Sequence, residues 1–271
     1  MPELPEVETV RRGVEPHVVG RTIREAVVRD ARLRWPVPAG FADYVRGKRI
    51  RGVARRGKYL IFDLGGDRVI VHLGMTGRLL LLDAKEPLKR HDHVDLVLSG
   101  KLLLRFNDPR RFGAVLPWPE AEKEHVLLAG MGPEPLSDDF SGEYLYQRSR
   151  GRSAAVKLFI MDGGIVVGVG NIYASEALFR AGIRPAKAAG RVSRVQYDKL
   201  AQAIRDVLNF AIAHGGTTLR DYRGSDGNAG YFQQELMVYG REGQACKVCG
   251  TPIRRVVLGQ RSTYYCHTCQ K

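Results

Sequence analysis

The sequence predicts an α+β chain of more than one domain: an N-terminal antiparallel β-sandwich with flanking helices, a helical region, and a small cysteine-bearing β-hairpin at the C-terminus. Three observations predict it. From Arg51 to Trp118 short apolar runs are broken by turn residues, from Ile172 to Gly215 apolar residues recur at helical spacing, and all four cysteines lie at or beyond position 246.

Composition sets the outer bounds. The chain has 271 residues, 44% hydrophobic and 27% charged, which fills ordinary cores and excludes a disordered basic tail or a coiled coil. Lys plus Arg number 43 against 29 Asp plus Glu, a formal charge of +14. Residues 1–149 carry 25 basic and 21 acidic side chains, residues 150–271 carry 18 and 8, so the excess is +4 in the first part and +10 in the second. A polyanion docking mainly on the second part is one reading; a basic but inert surface is the other. No apolar run approaches the roughly 18 residues of a membrane span, and the start, Met1-Pro2-Glu3-Leu4-Pro5-Glu6, is acidic rather than a basic lead into an apolar stretch. A soluble, cytoplasmic protein without a membrane partner is expected, in a reducing compartment because no disulfide framework is spread along the chain.

Residues 5–14 read as a short helix: Pro5 suits a first turn, Glu6 and Glu8 favour its positive end, and Val7, Val10 and Val14 recur at helical spacing. The strands follow as Tyr59 to Leu64, Val69 to Leu73, Leu79 to Leu82, His93 to Leu98 and Leu102 to Phe106. The Gly, Pro and Ser cluster between Gly130 and Ser141 reads as a linker. A helix from Ile172 to Ala181 is stopped by Gly182 and Pro185. Another starts at the capping box Ser193-Arg194-Val195-Gln196, carries Leu200, Ile204, Val207, Leu208, Ala211 and Ile212, and ends at Gly215-Gly216. The domains are placed at 1–131, 132–238 and 239–271.

Cys246-Lys-Val-Cys249 and Cys266-His-Thr-Cys269, 16 residues apart, bring four thiolates to the tetrahedron that one structural Zn²⁺ accepts, with no open position for catalysis. A redox pair or disulfides compete with this reading, and His267 is expected to be an exposed neighbour. Between the knuckles, Pro252 to Leu258 and Ser262 to Tyr265 form a hairpin that displays Arg254, Arg255 and Arg261 and could enter a DNA groove, although such ribbons also bind proteins. Gly163 to Tyr173 runs glycines into a helix start, with Asn171 where a cap would sit: a phosphate grip or a plain tight turn.

Pro2 carries a third signal. Methionine is expected to be removed before proline, leaving a secondary amine. An α-amino group has a pKa of about 7.7 to 8.0 against about 10.4 for lysine, so far more of it is unprotonated at neutral pH. Attack by such an amine on an acetal-like carbon collapses to a cationic iminium, an electron sink with Glu3 adjacent as acid or base. An ordinary chain start is the alternative.

The set Pro2-Glu3-Leu4-Pro5-Glu6-Val7-Glu8-Thr9, Arg56-Gly57-Lys58-Tyr59, His72 to Gly77, His91-Asp92-His93, Asp108 to Gly113, Gly168 to Glu176 and the cysteine module, in that order, closely resembles the bacterial formamidopyrimidine-DNA glycosylases, which repair 8-oxoguanine. The resemblance spans the chain. It implies a β-sandwich, a helix-two-turn-helix domain and a zinc finger, one structural Zn²⁺, no catalytic metal, and a monomer acting on double-stranded DNA with oxidised bases or abasic sites, DNA lying in a cleft between the halves. Pro2 would attack C1′ and form a Schiff base, Glu3 would serve as acid and base, Lys58 as a proton donor, and Arg261 would clamp phosphate and assist elimination. Met75, Arg110 and Phe112 match the wedge that fills the gap left by the extruded nucleotide, with Arg110 reaching the orphaned cytosine. Their places beside Gly74, Gly77 and Gly113 favour exposure. His91, Arg110, Arg152 and Asn171 would contact the DNA backbone; Arg152 lies in the stretch 143–157 that departs most from the family. Residues 217–227 correspond to a loop closing over the flipped base. An endonuclease VIII-like enzyme for oxidised pyrimidines and a non-catalytic zinc-ribbon DNA-binding protein remain as alternatives.

Overall fold

The computed structural model describes residues 2–215 and 236–271. These form two compact units, one over residues 2–129 and one over 130–214 with 236–271. Among the described residues no helix is long and apolar enough to cross a membrane.

The first unit runs α1 (Leu4–Val18), β1 (Ile23–Val28), α2 (Phe41–Val45), β2 (Gly52–Arg56), β3 (Tyr59–Asp63), β4 (Arg68–His72), β5 (Arg78–Asp83), β6 (Asp92–Leu98), β7 (Leu102–Asn107) and β8 (Ala114–Trp118). The strands make two antiparallel four-stranded sheets, ordered β1-β6-β7-β5 and β2-β3-β4-β8. One core joins them: Leu60, Phe62, Val69, Val71 and Val115 from one sheet, Leu79, Val94, Leu96, Leu104 and Phe106 from the other, capped by Val7, Val10, Val14 and Val18 of α1. Burial of each such side chain stabilises the fold by about 1.5–3 kcal/mol. The chain changes sheet between β4 and β5 and again between β7 and β8, which puts residues 73–77 and 108–113 in two inter-sheet loops.

Helix α1 is longer than its sequence pattern predicts. Leu4 is its first residue, and Val18 extends the buried stripe past Pro16. The sequence reading also misses β1, whose pairing with β6 shifts register between Ile23 and Glu25; the irregularity breaks the alternation that marks a strand. Pro117 is tolerated in β8 because that strand lies at a sheet edge.

The second unit contains α3 (Gly142–Ser149), α4 (Val156–Met161), α5 (Asn171–Arg180), a 3₁₀ turn (Ala189–Arg191), α6 (Arg194–Ala213), β9 (Arg254–Leu258) and β10 (Arg261–Tyr265). The capping box on α6 forms as read: Gln196 N–H donates to Ser193 Oγ at 3.2 Å and Ser193 N–H to Gln196 Oε1 at 3.1 Å. Residues 130–141 hold no helix or strand, yet they do not hang loose. The Arg205 guanidinium of α6 donates to the carbonyls of Pro135 (3.3 Å), Ser137 (2.9 Å) and Phe140. Helices α3 and α4 escape the sequence reading because eight and six residues are too few to display a period.

Candidate active site

Glu3 is the N-cap of α1, 2% exposed, and its N–H donates to Glu6 Oε2 at 2.9 Å in a reciprocal capping box. The box fixes the backbone that half-buried Pro2 leaves from. Glu8, one turn further on, ties α1 to the hairpin of β2 and β3. Its carboxylate accepts from Arg11 (2.9 Å), Arg12 (2.8 Å) and Arg55 (3.1 Å), and Arg55 Nη1 also donates to the Gly57 carbonyl at 3.0 Å. Gly57 and Lys58 form the turn of that hairpin, so one guanidinium connects the helix bearing Pro2 and Glu3 to the turn bearing Lys58. Burial by itself would raise the Glu8 pKa, but the hydrogen bonds and charges of Arg11, Arg12 and Arg55 hold it down to about 2. From sequence Glu8 is read only as favouring a helix start and Arg55 is not singled out, because a Glu on a helix and an Arg on a strand carry no mark of partnership.

His72 ends β4 with its ring 4.7 Å from that of Tyr59, and its Nδ1 accepts the Gly74 N–H at 3.2 Å. Burial, with the charges of Lys58 and Arg34, lowers its pKa to about 4 in spite of Asp108. Between pH 6.5 and 4 the unfolded chain therefore binds the proton that the folded chain refuses. Stability falls as pH drops through that window, by on the order of 3 kcal/mol in all. Urea midpoints at pH 7 and pH 4.5 should differ more for the wild type than for His72→Gln; an equal pH response in the two chains would remove His72 as the cause.

Met75 is half-buried in the first inter-sheet loop. Arg110 and Phe112 are exposed in the second, the guanidinium 4.7 Å from the phenyl centroid. The structure thus brings all three proposed wedge residues to the inter-sheet loops. His91 is half-buried at φ 73°, while the neighbouring Asp92 and His93 turn inward. Asp92 accepts from Asn107 Nδ2 (2.7 Å) and pairs with Arg105 (3.1 Å), and His93 Nε2 lies 2.8 Å from the Asp108 carbonyl oxygen.

In the second unit Asn171 corrects its expected role. Gly170 is the N-cap of α5, and the Asn171 side chain makes no cap. Its Oδ1 accepts from Lys157 Nζ at 2.6 Å and its Nδ2 donates to the Ser262 carbonyl at 3.0 Å. Lys157 has no exposed surface; its Nζ also donates to Thr263 Oγ1 at 2.8 Å and the Ser262 carbonyl at 3.3 Å. One buried ammonium thereby joins α4, α5 and β10. Arg261, exposed, directly precedes Ser262 and follows a two-residue turn in which Gly259 (φ 51°) and Gln260 (φ 60°) both take the left-handed conformation that such a hairpin requires. Arg152 is exposed between α3 and α4, its backbone held by Ser149 and Gly190. Glu176 was quoted only within a motif. Buried on α5, its carboxylate accepts the N–H groups of Met237 (2.8 Å), Val238 (3.0 Å) and Tyr239 (2.8 Å), fastening the start of the cysteine module.

The four cysteine sulfurs lie within 4.8 Å of one another, Cys249 and Cys266 at 3.4 Å and Cys246 and Cys269 at 3.9 Å. Zn–S bonds of about 2.3 Å set sulfurs about 3.8 Å apart at the corners of a tetrahedron, so the set fits one Zn²⁺ with every position taken. It is the only such ligand cluster among the described residues. His267 is not the exposed neighbour expected. It is half-buried, and its Nδ1 is buried without a hydrogen-bond partner among the described residues. Residues 217–227, expected to cover a flipped base, lie outside the described residues.

Comparison with known proteins places this geometry. Three family models match in chain order: the formamidopyrimidine-DNA glycosylase N-terminal domain over 1–115, the formamidopyrimidine-DNA glycosylase H2TH domain over 131–223, and the zinc finger found in FPG and IleRS over 243–271. Formamidopyrimidine-DNA glycosylases of Stutzerimonas stutzeri and Pseudomonas aeruginosa are 57% and 55% identical to this chain over 271 residues, all of each protein. The MutM (FPG) protein of Thermus thermophilus superposes with a TM-score of 0.87 at 43% identity, covering 99% of this chain and 98% of that one. A Lactococcus lactis FPG mutant in complex with Fapy-dG-containing DNA gives 0.90 at 35% identity, covering 100% of both. The chain belongs to the formamidopyrimidine-DNA glycosylase family.

Proposed function

We propose that the chain is a base-excision repair glycosylase that releases oxidised purines, 8-oxoguanine and formamidopyrimidines, from duplex DNA and then cleaves the strand at the abasic site. It acts as a cytoplasmic monomer. The observation that carries the reading is the Pro2–Glu3 pair: a candidate amine beside a carboxylate that the first turn of α1 buries and clamps.

The chemistry follows from those groups. The Pro2 nitrogen, freed by loss of Met1, attacks C1′; the C1′–N bond to the base breaks and the base leaves with the electron pair and gains a proton. The ring oxygen then leaves C1′, taking a proton from Glu3, and the C1′–Pro2 bond becomes a cationic iminium. The iminium acidifies the C2′ hydrogen. Its removal expels the 3′ phosphate, and a second elimination expels the 5′ phosphate, leaving a one-nucleotide gap. Lys58 supplies a proton and meets phosphate or lesion. Arg261 neutralises the departing phosphate, with His91, Arg110, Arg152 and Asn171 on the backbone. Met75 and Phe112 replace the lost stacking. One Zn²⁺ held by the four cysteines would stiffen the hairpin that displays Arg261 and takes no part in bond making.

Borohydride reduction during turnover of an 8-oxoguanine:cytosine duplex tests the proposal. A covalent protein–DNA adduct is expected, formed faster than with a thymine glycol duplex. Binding without base release would reduce the chain to a DNA-binding protein, and faster turnover of thymine glycol would move it to the oxidised-pyrimidine enzymes.

A further inference from the structure

The three wedge candidates come from two loops far apart in sequence, and a buried carboxylate joins those loops. Asp108, with no exposed surface, opens the loop 108–113. Its Oδ1 accepts the Thr76 hydroxyl at 2.6 Å and the Arg110 N–H at 3.3 Å, and its Oδ2 accepts the Gly113 N–H at 2.8 Å. The Arg110 N–H also reaches Thr76 Oγ1 at 3.2 Å, while the Asp108 carbonyl meets His93 Nε2 at 2.8 Å. Thr76 is the residue after Met75. Asp108 thus spans the residues on both sides of Arg110 and Phe112 and reaches across to the loop of Met75.

The backbones are equally close. At Gly74, φ 62°, a Cβ would run into the Phe112 carbonyl, and at Gly113 a Cβ would strike the Phe106 ring and the His72 carbonyl. Neither loop can shift far without the other. Two independent loops would each lose conformational freedom on entering a base stack, whereas loops already bonded together have given it up in the free protein.

We infer that the Thr76–Asp108 hydrogen bond is a specificity lock. It holds Met75, Arg110 and Phe112 as one rigid insert, so that the guanidinium reads the base opposite the lesion from a position set by the stacking residues. Asp108 and Thr76 are positioning residues; neither touches the reacting atoms. The inference rests on the glycosylase function proposed for the chain. With the lock broken, Arg110 still carries its charge to the DNA but samples several positions, and discrimination between opposite cytosine and opposite adenine weakens. The substitutions leave the Glu3–Glu6 capping box behind Pro2 in place.

Thr76→Val keeps the shape and removes the donor, and Thr76→Ser restores it. Single-turnover excision of 8-oxoguanine opposite cytosine and opposite adenine is measured for both, for Asp108→Asn and for the double variant, beside borohydride trapping on a single-stranded abasic oligonucleotide, which offers no opposite base. The cytosine-to-adenine ratio should fall about tenfold in Thr76→Val and return in Thr76→Ser, and it should fall further in the double variant, because Asp108→Asn also takes an acceptor from the Arg110 or Gly113 N–H. Single-strand trapping by Thr76→Val should match wild type. An unchanged ratio in Thr76→Val overturns the lock, as does a parallel loss of single-strand trapping, which would mean general damage. A wild-type chain that traps no adduct overturns the glycosylase reading itself and the lock with it.

Discussion

Pro2→Gly should lower 8-oxoguanine release by about three orders of magnitude, the loss of about 4 kcal/mol of transition-state stabilisation. The substitution keeps an α-amine of similar basicity once Met1 is gone, so availability of the lone pair does not account for the loss. Two things do. A primary amine gives an imine that must hold a proton to act as an electron sink, whereas the iminium of a secondary amine is cationic by construction. Proline's ring also closes the nitrogen onto its own side chain, and at Pro2 that rigidity would aim the amine from a backbone already clamped by Glu3 and Glu6. Burst-phase excision with borohydride trapping measures the effect. Urea unfolding should be unchanged, since the capping box does not involve the Pro2 side chain. Wild-type release by Pro2→Gly would take the nucleophile's role away from this position.

Removing the metal is expected to have the second largest effect. Cys246 and Cys266 are buried with Phe179, Val238 and Ile253 in a small apolar cluster that has little other material, and structural zinc contributes on the order of 10–16 kcal/mol to such modules. In Cys266→Ser the hairpin should lose its fixed path, and with it the Ser262 carbonyl and Thr263 hydroxyl that anchor Lys157 and Asn171. Affinity for an abasic-site duplex should fall at least a hundredfold. The slope of log affinity against log salt should flatten by about one unit for each phosphate that the hairpin no longer neutralises, the one facing Arg261 first. Titration against salt concentration gives both numbers. Full affinity with an unaltered slope would mean that the hairpin does not bind phosphates.

Local rules made the hairpins, the α6 capping box and the cysteine knuckles readable, because each is written in adjacent residues. Ser193 and Gln196, or Cys246 and Cys249, declare themselves at fixed spacing. What escaped is long-range pairing. Arg55 meets Glu8 across 47 residues, Asp108 meets Thr76 across 32, and Lys157 meets Thr263 across 106. No spacing rule marks such partners. Asn171 was misplaced for a related reason: asparagine beside a helix start suits a cap, but a buried ammonium competes for its oxygen more strongly than a backbone amide does. The same limit hid β1, where a bulge erased the alternation, and α4, where six residues cannot declare a period.

The buried lysine has a practical consequence. An ammonium with no exposed surface is closed to acylating reagents, so in the native chain the Lys157 amine is labelled only during excursions that separate α4 from β10. Its rate of chemical labelling, read by peptide mass spectrometry beside that of solvent-facing lysines such as Lys101 and Lys247, is therefore a clock for local opening of the ribbon, and needs neither a fluorophore nor an isotope.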